Sequence, residues 1–350
     1  MGQAFTLSRL RLTVQVVMLV FTVYGGALVG HYLADKVTGA LPSLSCAFDQ
    51  QNSGYCVLIP LQHQLHHRVG ESIVRFQQFS YEYLIPLGFT MMTFLLFFMV
   101  LNKAFCGWIC PLGTVQELLS KVGRWFKLPV RRLNQSTVGR VRPVKWAMLI
   151  LLVLVLPLMA GLGYTSYVTG DAYCQVCPSR IVTTLLTANA EQIAVNTADT
   201  TAYLFSAARS AIFGFVLILA FGVRQPYCRI CPMLALHAVF RRLVPLRLSK
   251  KQSGDRCGTC KSCYLACPMD IHEVAFEFGG KAFHQDCTMC GRCVEYCPDD
   301  GLLSLKLGPL TLFSSSKEYA KRRAKTEKPD GTPRPGKSTS RPSDQPAPAE

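Results

Sequence analysis

Eight of the sixteen cysteines stand in two runs, CGTCKSCYLACP from Cys257 and CTMCGRCVEYCP from Cys287. Both follow C-x2-C-x2-C-x3-C-P. At this spacing three thiolates wrap one corner of a cubane iron–sulfur cluster, and the fourth, ahead of proline, is carried onto the other cluster. The expected ligands of one [4Fe-4S] cluster are therefore Cys257, Cys260, Cys263 and Cys297. Those of the second are Cys287, Cys290, Cys293 and Cys267. Zinc sites also use C-x2-C pairs, but zinc has no need of this four-cysteine spacing twice over. Gly258 and Gly291, beside ligands, suit close approach of backbone N–H groups to cluster sulfurs.

The other cysteines are placed by long apolar stretches. Half of the chain is hydrophobic, 17% is charged and the mean hydropathy is +0.24, a balance foreign to most soluble proteins. Four stretches, about 12–34, 83–102, 146–165 and 201–223, have the length needed to cross a hydrocarbon core ~30 Å thick. The last is long enough only if it includes Arg209. The fold class this predicts is a mostly α membrane protein. It is a four-transmembrane-helix bundle over 12–245 with interfacial helices, plus a small α+β two-cluster bacterial-type ferredoxin domain over 250–310.

Between Lys103 and Lys145 stand nine Lys/Arg against Glu117, and between Arg224 and Arg256 eight against Asp255. The other two connections are near neutral. The positive-inside bias then puts residues 1–11, both basic loops and the ferredoxin domain in the cytoplasm of a multi-pass inner-membrane protein. This accounts for the net charge of +16 without nucleic acid, for which no recognition helix or stacking platform is seen. The first apolar run is too long for a signal peptide. Residues 314–350, rich in Pro, Ser and charge, are expected to be a disordered tail.

Each half of the bundle then reads as span, outer Cys pair, span, inner Cys pair and basic amphipathic segment. Two such parallel copies are related by an axis along the membrane normal. In FCGWICP and YCRICP the inner cysteines are Cys106, Cys110, Cys228 and Cys231, candidates for a third cluster or another metal, with buried free thiols as the plainer reading. The outer four are Cys46, Cys56, Cys174 and Cys177. Disulfides, a redox-active CQVC dithiol and a metal site all stay open for them. His63, His66 and His67 in HQLHH are weaker candidates for copper or iron ligands.

No pair of histidines faces into the bundle, so no haem is expected. Arg209 is the clear charge at membrane depth; snorkelling outward is its ordinary fate, and contact with a quinone carbonyl is the rival. Asp171 reads as a loop residue. No nucleophile–base constellation or phosphate loop appears, which excludes hydrolytic and transferase chemistry.

CGWICPLGTVQE after a span, a second Cys-Pro motif after another and the C-terminal two-cluster run together resemble the NapH/MauN membrane polyferredoxins. The C-terminal half of NosR is similar. The likeness covers roughly residues 10–310. It implies a membrane iron–sulfur protein, the quinol dehydrogenase or electron-transfer subunit of an oxidoreductase system. Such a protein passes electrons between the quinone pool and a redox partner such as a ferredoxin-like or cytochrome subunit. Cys106 and Cys110 keep the family's C-x3-C-P, whereas Cys228 and Cys231 form C-x2-C-P. The flavin-binding domain of NosR has no counterpart in these residues, so no flavin is expected. An accessory factor that delivers electrons to a periplasmic metalloenzyme, thiol or copper site is the second reading, and a redox sensor the third.

Overall fold

The computed structural model describes residues 6–29, 58–71, 74, 88, 92, 95, 96, 99–197, 199–252 and 260–326. It is mostly helical. Helix α1, Leu7–Val29, starts at Thr6, whose hydroxyl accepts the Arg9 N–H at 3.3 Å, as a helix cap should. Helix α2, Leu58–His63, continues as a π-helical stretch, Gln64–Gly70. After a π turn, Phe105–Ile109, Pro111 opens helix α3, Pro111–Trp125. Proline suits that position because its missing N–H would have no helical partner there.

Helix α4, Gln135–Gly161, and helix α7, Thr200–Gly222, are long and apolar enough to cross a membrane, the two such helices among the described residues. Between them lie the short helices α5, Ala172–Val176, and α6, Pro178–Leu186. Helix α8, Pro232–Val239, leads to strand β1, Leu246–Lys250. Strands β2, Leu303–Leu307, and β3, Leu310–Ser314, complete an antiparallel sheet ordered β1-β2-β3, with Leu248 opposite Leu305. Helices α9, Ser262–Ala266, α10, Glu273–Phe276, and α11, Arg292–Tyr296, lie between β1 and β2. Helix α12, Lys317–Thr326, follows β3. Leu248, Leu303, Leu305, Met289 and Val294 form one core with Cys263 and Cys297.

The sheet-bearing domain is bound to the helical half mainly by buried cations. Lys103 Nζ donates to the carbonyls of His284 and Gln285 at 2.6 and 2.7 Å. Arg229 donates to the carbonyls of Met269 and Pro268 and pairs with Asp270 at 2.8 Å. Asp286 takes Lys145 and, at 2.7 Å, Arg142. At the centre is Glu117. It pairs with Arg11 from α1, accepts from Gln15 at 3.2 Å and faces Arg292 of α11 at 3.9 Å. Burial pushes its carboxyl up, but Arg11, Arg292 and Lys121 together hold it down at about 2.

Several boundaries differ from the sequence reading. Helix α1 starts at Leu7 rather than 12, because Arg11 is not a flank but a buried residue, 2% exposed, held by Glu117. Helix α4 starts at Gln135 rather than 146, running on through its polar turns to the Arg142 and Lys145 contacts. The sheet extends the ferredoxin domain at both ends, to Leu246 and Ser314. Residues 317–326 are not a disordered tail but α12. Its Tyr319 hydroxyl donates to Glu295 at 2.9 Å and accepts the Leu7 N–H at 2.6 Å. Residues 327–350, 30–34 and most of the stretch 83–102 lie outside the described residues.

Glu117→Gln removes the charge on which three segments converge and leaves Arg11 buried without its counter-ion. The expected cost is ~3–5 kcal/mol, read by chemical denaturation of the detergent-solubilised chain. A loss under about 1 kcal/mol, the size of an exposed pair, would contradict the arrangement. The sign with pH follows from the depressed carboxyl. Its contribution is complete above the ordinary value of 4.5 and is lost as pH falls toward about 2, and Glu117→Gln should abolish that acid-dependent part.

Candidate functional site

Five Cys-Pro steps share one backbone form. Cys110, Cys177, Cys231, Cys267 and Cys297 have φ of −57, −72, −65, −71 and −72° and ψ of 118, 122, 125, 123 and 120°. Proline at the next position disfavours the helical region and favours such values. Each of the five follows a short helical turn that carries another cysteine. The local device is therefore a thiol on a turn and a second thiol on the extended step after it.

In the sheet-bearing domain, one cavity is lined by Cys267, Cys287, Cys290 and Cys293, with Pro268 and Met269 beside them. Cys267 interacts electrostatically with Cys290 and Cys287, although it belongs to the first cysteine run. Cys263 instead faces Cys297 and Cys260. Cys257 and Gly258 lie outside the described residues. Burial pushes the Cys267 thiol up to about 12 and the Cys263 and Cys287 thiols up to about 11. Backbone N–H groups are aimed at the sulfurs: that of Met289 reaches Cys287 Sγ at 3.3 Å, and those of Ile271 and Met269 favour the Cys267 thiolate. Buried thiols, apolar walls and convergent N–H donors suit a thiolate-bound cluster.

Lys261 and Gly291 hold equivalent places in the two runs, and both adopt the left-handed conformation, with φ of 48 and 74°. Gly291 also lies close to the N-terminal helix: a Cβ there would lie 2.6 Å from Leu7 Cδ2, so that side chain would have to shift. The N-terminal helix thus presses on the turn between Cys290 and Cys293.

The inner cysteines of the helical half converge on one another. Cys106 is surrounded by Cys110, Cys231 and Cys228, and burial together with these neighbours pushes its thiol well up. Their turn is pressed against the second cysteine run. A Cβ on Gly107 would lie 2.2 Å from the Thr288 carbonyl oxygen. Trp108 Nε1 donates to the Met289 carbonyl at 3.0 Å, and Arg11 to that of Cys290 at 3.3 Å.

Of the outer cysteines, Cys174 and Cys177 are buried and form no disulfide with each other; Cys46 and Cys56 lie outside the described residues. Nor does Cys177 stand far from the inner set. The Tyr173 hydroxyl lies 3.6 Å from Cys177 Sγ and 3.4 Å from Cys231 Sγ. His66, His67 and Glu71 bring ligand atoms within 4.8 Å of one another, and His67 Nδ1 pairs with Glu71 at 3.0 Å. Asp171 accepts from Gln175 at 3.1 Å. Arg209 does not snorkel: it is 5% exposed, because α3, α5 and α6 pack over α7.

Two family models match the chain. One, "4Fe-4S binding domain", takes residues 84–129 and 206–251, the segments with the inner cysteines. The other, "4Fe-4S dicluster domain", takes residues 249–298. The ferredoxin of Methanothermococcus thermolithotrophicus is 38% identical over 50 residues, 14% of this chain and 83% of that protein. The chain belongs to the 4Fe-4S ferredoxin-type proteins. The ferredoxin-type protein NapH of Haemophilus influenzae is 27% identical, over 58% of this chain and 63% of its own length. The regulatory protein NosR of Pseudomonas aeruginosa is 26% identical, over 64% of this chain and 29% of its own length. The chain thus spans less than two thirds of either of these two longer relatives. No solved structure matches it significantly.

The positioning residues Glu117, Lys103, Arg229, Gln62 and Gln116 went unnoticed as such in the sequence. The visible signal was a lone acid among nine basic residues. Gly107 offers the direct check on the contact between the halves. Gly107→Ala should overpack it at a cost of ~1–3 kcal/mol and speed amide exchange around residues 288–290. Unchanged exchange and stability would mean that the two loops do not touch.

Proposed function

We propose that this ferredoxin-type electron-transport chain is a multi-pass protein of the bacterial inner membrane. It carries electrons between the quinone pool and a partner redox protein, a ferredoxin-like or cytochrome subunit. The observation that carries the reading is the Gly107–Thr288 contact, which puts the inner cysteines directly against the second ferredoxin run. Cys257, Cys260, Cys263 and Cys297 would hold one cluster, Cys287, Cys290, Cys293 and Cys267 the second, and Cys106, Cys110, Cys228 and Cys231 a third.

Bound clusters supply one-electron storage; the chain's own residues hold, space and insulate them. Arg11, Arg132, Arg229 and Lys103 all donate to carbonyls within or beside the cysteine runs. These cations offset the negative charge of thiolate cores and raise their reduction potentials. Membrane embedding is supported by outward apolar faces: Val17 and Phe21 on α1, Ile150 and Leu151 on α4, and Phe215 and Ile218 on α7 are all exposed. Trp125 and Phe126 at the end of α3 are exposed too, while that helix turns Thr114, Gln116, Glu117 and Ser120 inward. With the basic loops on the ferredoxin side, that side is cytoplasmic.

A second reading, electron delivery to a metal or thiol on the far side, is favoured by the grouping of His66, His67 and Glu71 near Asp171.

Iron and acid-labile sulfide per chain after anaerobic purification test the third cluster. With four irons per cluster, two clusters give about eight and three about twelve. The expected result is at least about twelve, with about four lost in Cys106→Ala/Cys228→Ala. No loss in that variant would remove the third cluster from the path. Quinol-driven reduction of the iron centres, followed by EPR, tests the quinone link, and its absence would favour the second reading.

A further inference from the structure

We infer that Cys174 and Cys177 supply two ligands of a further thiolate-bound iron centre, the counterpart of the inner one, joined to it through the hydroxyls of Tyr173 and Tyr227. Two glutamines build the two places in the same way. Gln62 Nε2 donates to the Leu58 carbonyl at 3.2 Å and to Cys174 Sγ at 3.5 Å. Its Oε1 accepts the Tyr173 N–H at 3.2 Å. Gln116 Nε2 donates to the Leu112 carbonyl at 3.2 Å and to Cys228 Sγ at 3.8 Å, and its Oε1 accepts the Tyr227 N–H at 3.1 Å. In both cases the tyrosine stands 111 residues after the glutamine and the thiol 112. The bonding of one inner thiol is thus reproduced, atom for atom, around Cys174.

The Cys-Pro step is reproduced too. Cys177, at φ −72° and ψ 122°, matches Cys267 and Cys297 of the ferredoxin runs to within 2°. A following proline explains ψ there, but not the Cys-bearing turn before it or the glutamine clamp.

Charge is the independent observation. Arg209 is 5% exposed, and its Nε has no hydrogen-bond partner among the described residues. It lies close enough to Arg180 that burial and Arg209 together lower the Arg180 guanidinium to about 10, with Asp171, Cys174 and Cys177 acting in the opposite direction. Asp171 is the one acid in that set of neighbours, and it is bound to Gln175. The Arg209 and Arg180 guanidinium groups lie beside the Cys174 and Cys177 thiols, and among the described residues Arg209 Nε is left without a hydrogen-bond acceptor. A thiolate-bound iron core is anionic and supplies negative charge there.

The link between the centres is short. Tyr173 and Tyr227 are 2% and 1% exposed, and their hydroxyls meet at 3.3 Å. The Tyr173 hydroxyl touches Cys177 on one side and Cys231 on the other. An electron exchanged along this line oxidises one ferrous iron and reduces one ferric iron. Both tyrosines keep their protons.

The inner half of this picture rests on the third cluster proposed above, so the test separates the two. Cys174→Ser/Cys177→Ser and Cys106→Ser/Cys228→Ser are compared in the full chain, purified anaerobically, by iron, sulfide and titratable thiols. The outer variant is expected to lose iron, about four atoms for a cubane, and to keep the ferredoxin EPR signals. Full iron with loss of two titratable thiols would make the pair a plain dithiol and overturn the inference. Iron lost from the outer but not the inner variant would leave this centre standing and sink the third cluster instead. Should the outer variant fail to fold, Tyr173→Phe and Tyr227→Phe keep the question answerable. Redox titration should then show shifted midpoints for non-ferredoxin signals, and unchanged midpoints in both would overturn the bridge.

Discussion

A buried carboxylate stands at the centre of the contacts by which the two halves of this chain meet. Glu117 stands on a helix whose flanks are basic, and it is approached by Arg11 from the N-terminal helix and by Arg292 from the second cysteine run. A carboxylate out of water is tolerable only when fully paired, and here each cation comes from a different segment. Satisfying the charge therefore aligns α1, α3 and α11 at once. The same alignment presses Leu7 onto Gly291 and brings the turn at Gly107 against Thr288. The Gly107 contact needs glycine, because a Cβ there has no room between the backbones.

The basic loops have two roles that sequence cannot separate. In the proposed topology their excess over acids would set orientation in a bilayer, and any scatter of Lys and Arg would do that. Particular members are also buried and specific. Lys103 and Lys145 are fully buried. Lys103 donates to the carbonyls before Cys287, and Lys145 reaches Asp286. Burial without enough acid partners lowers the Lys103 ammonium to about 8. Backbone carbonyls take the place of missing carboxylates, which holds the cysteine run rigidly while leaving net positive charge beside it.

The ferredoxin-type domain was legible because cluster geometry dictates the spacing of its two cysteine runs, which the dicluster family model also matches. The rest depends on tertiary contact. Arg11 falls in residues 1–11, which read as a cytoplasmic stretch before the first apolar run, although it is a buried partner of Glu117. Residues 317–326 read as tail because they have little to bury; Tyr319 and Arg323 instead find Glu295. Arg209 read as a snorkelling residue because no sequence shows that α3, α5 and α6 close over it. The outer cysteines read as a separate group, since apolar stretches divide them from the inner ones. In space, one tyrosine hydroxyl lies between Cys177 and Cys231.

That last contact bears on how an electron path can cross the bundle. A hydrocarbon core is ~30 Å thick, and with clusters only in the ferredoxin domain a long gap would remain. In the proposed function the Gly107 contact would carry the line from the second cysteine run to the inner pairs, and the tyrosine hydroxyls would carry it on to Cys177. Every link is built from the same small unit, a cysteine on a turn followed by a Cys-Pro step. Within the helical half, a glutamine clamps two of these turns. Such a unit is local, so it can be repeated in the sheet-bearing domain and between apolar helices alike. What differs between its copies is the surrounding charge: Lys103 and Arg229 on the ferredoxin side, Arg180 and Arg209 on the other. If iron occupies each copy, those cations, rather than the ligands, set the order of potentials along the line.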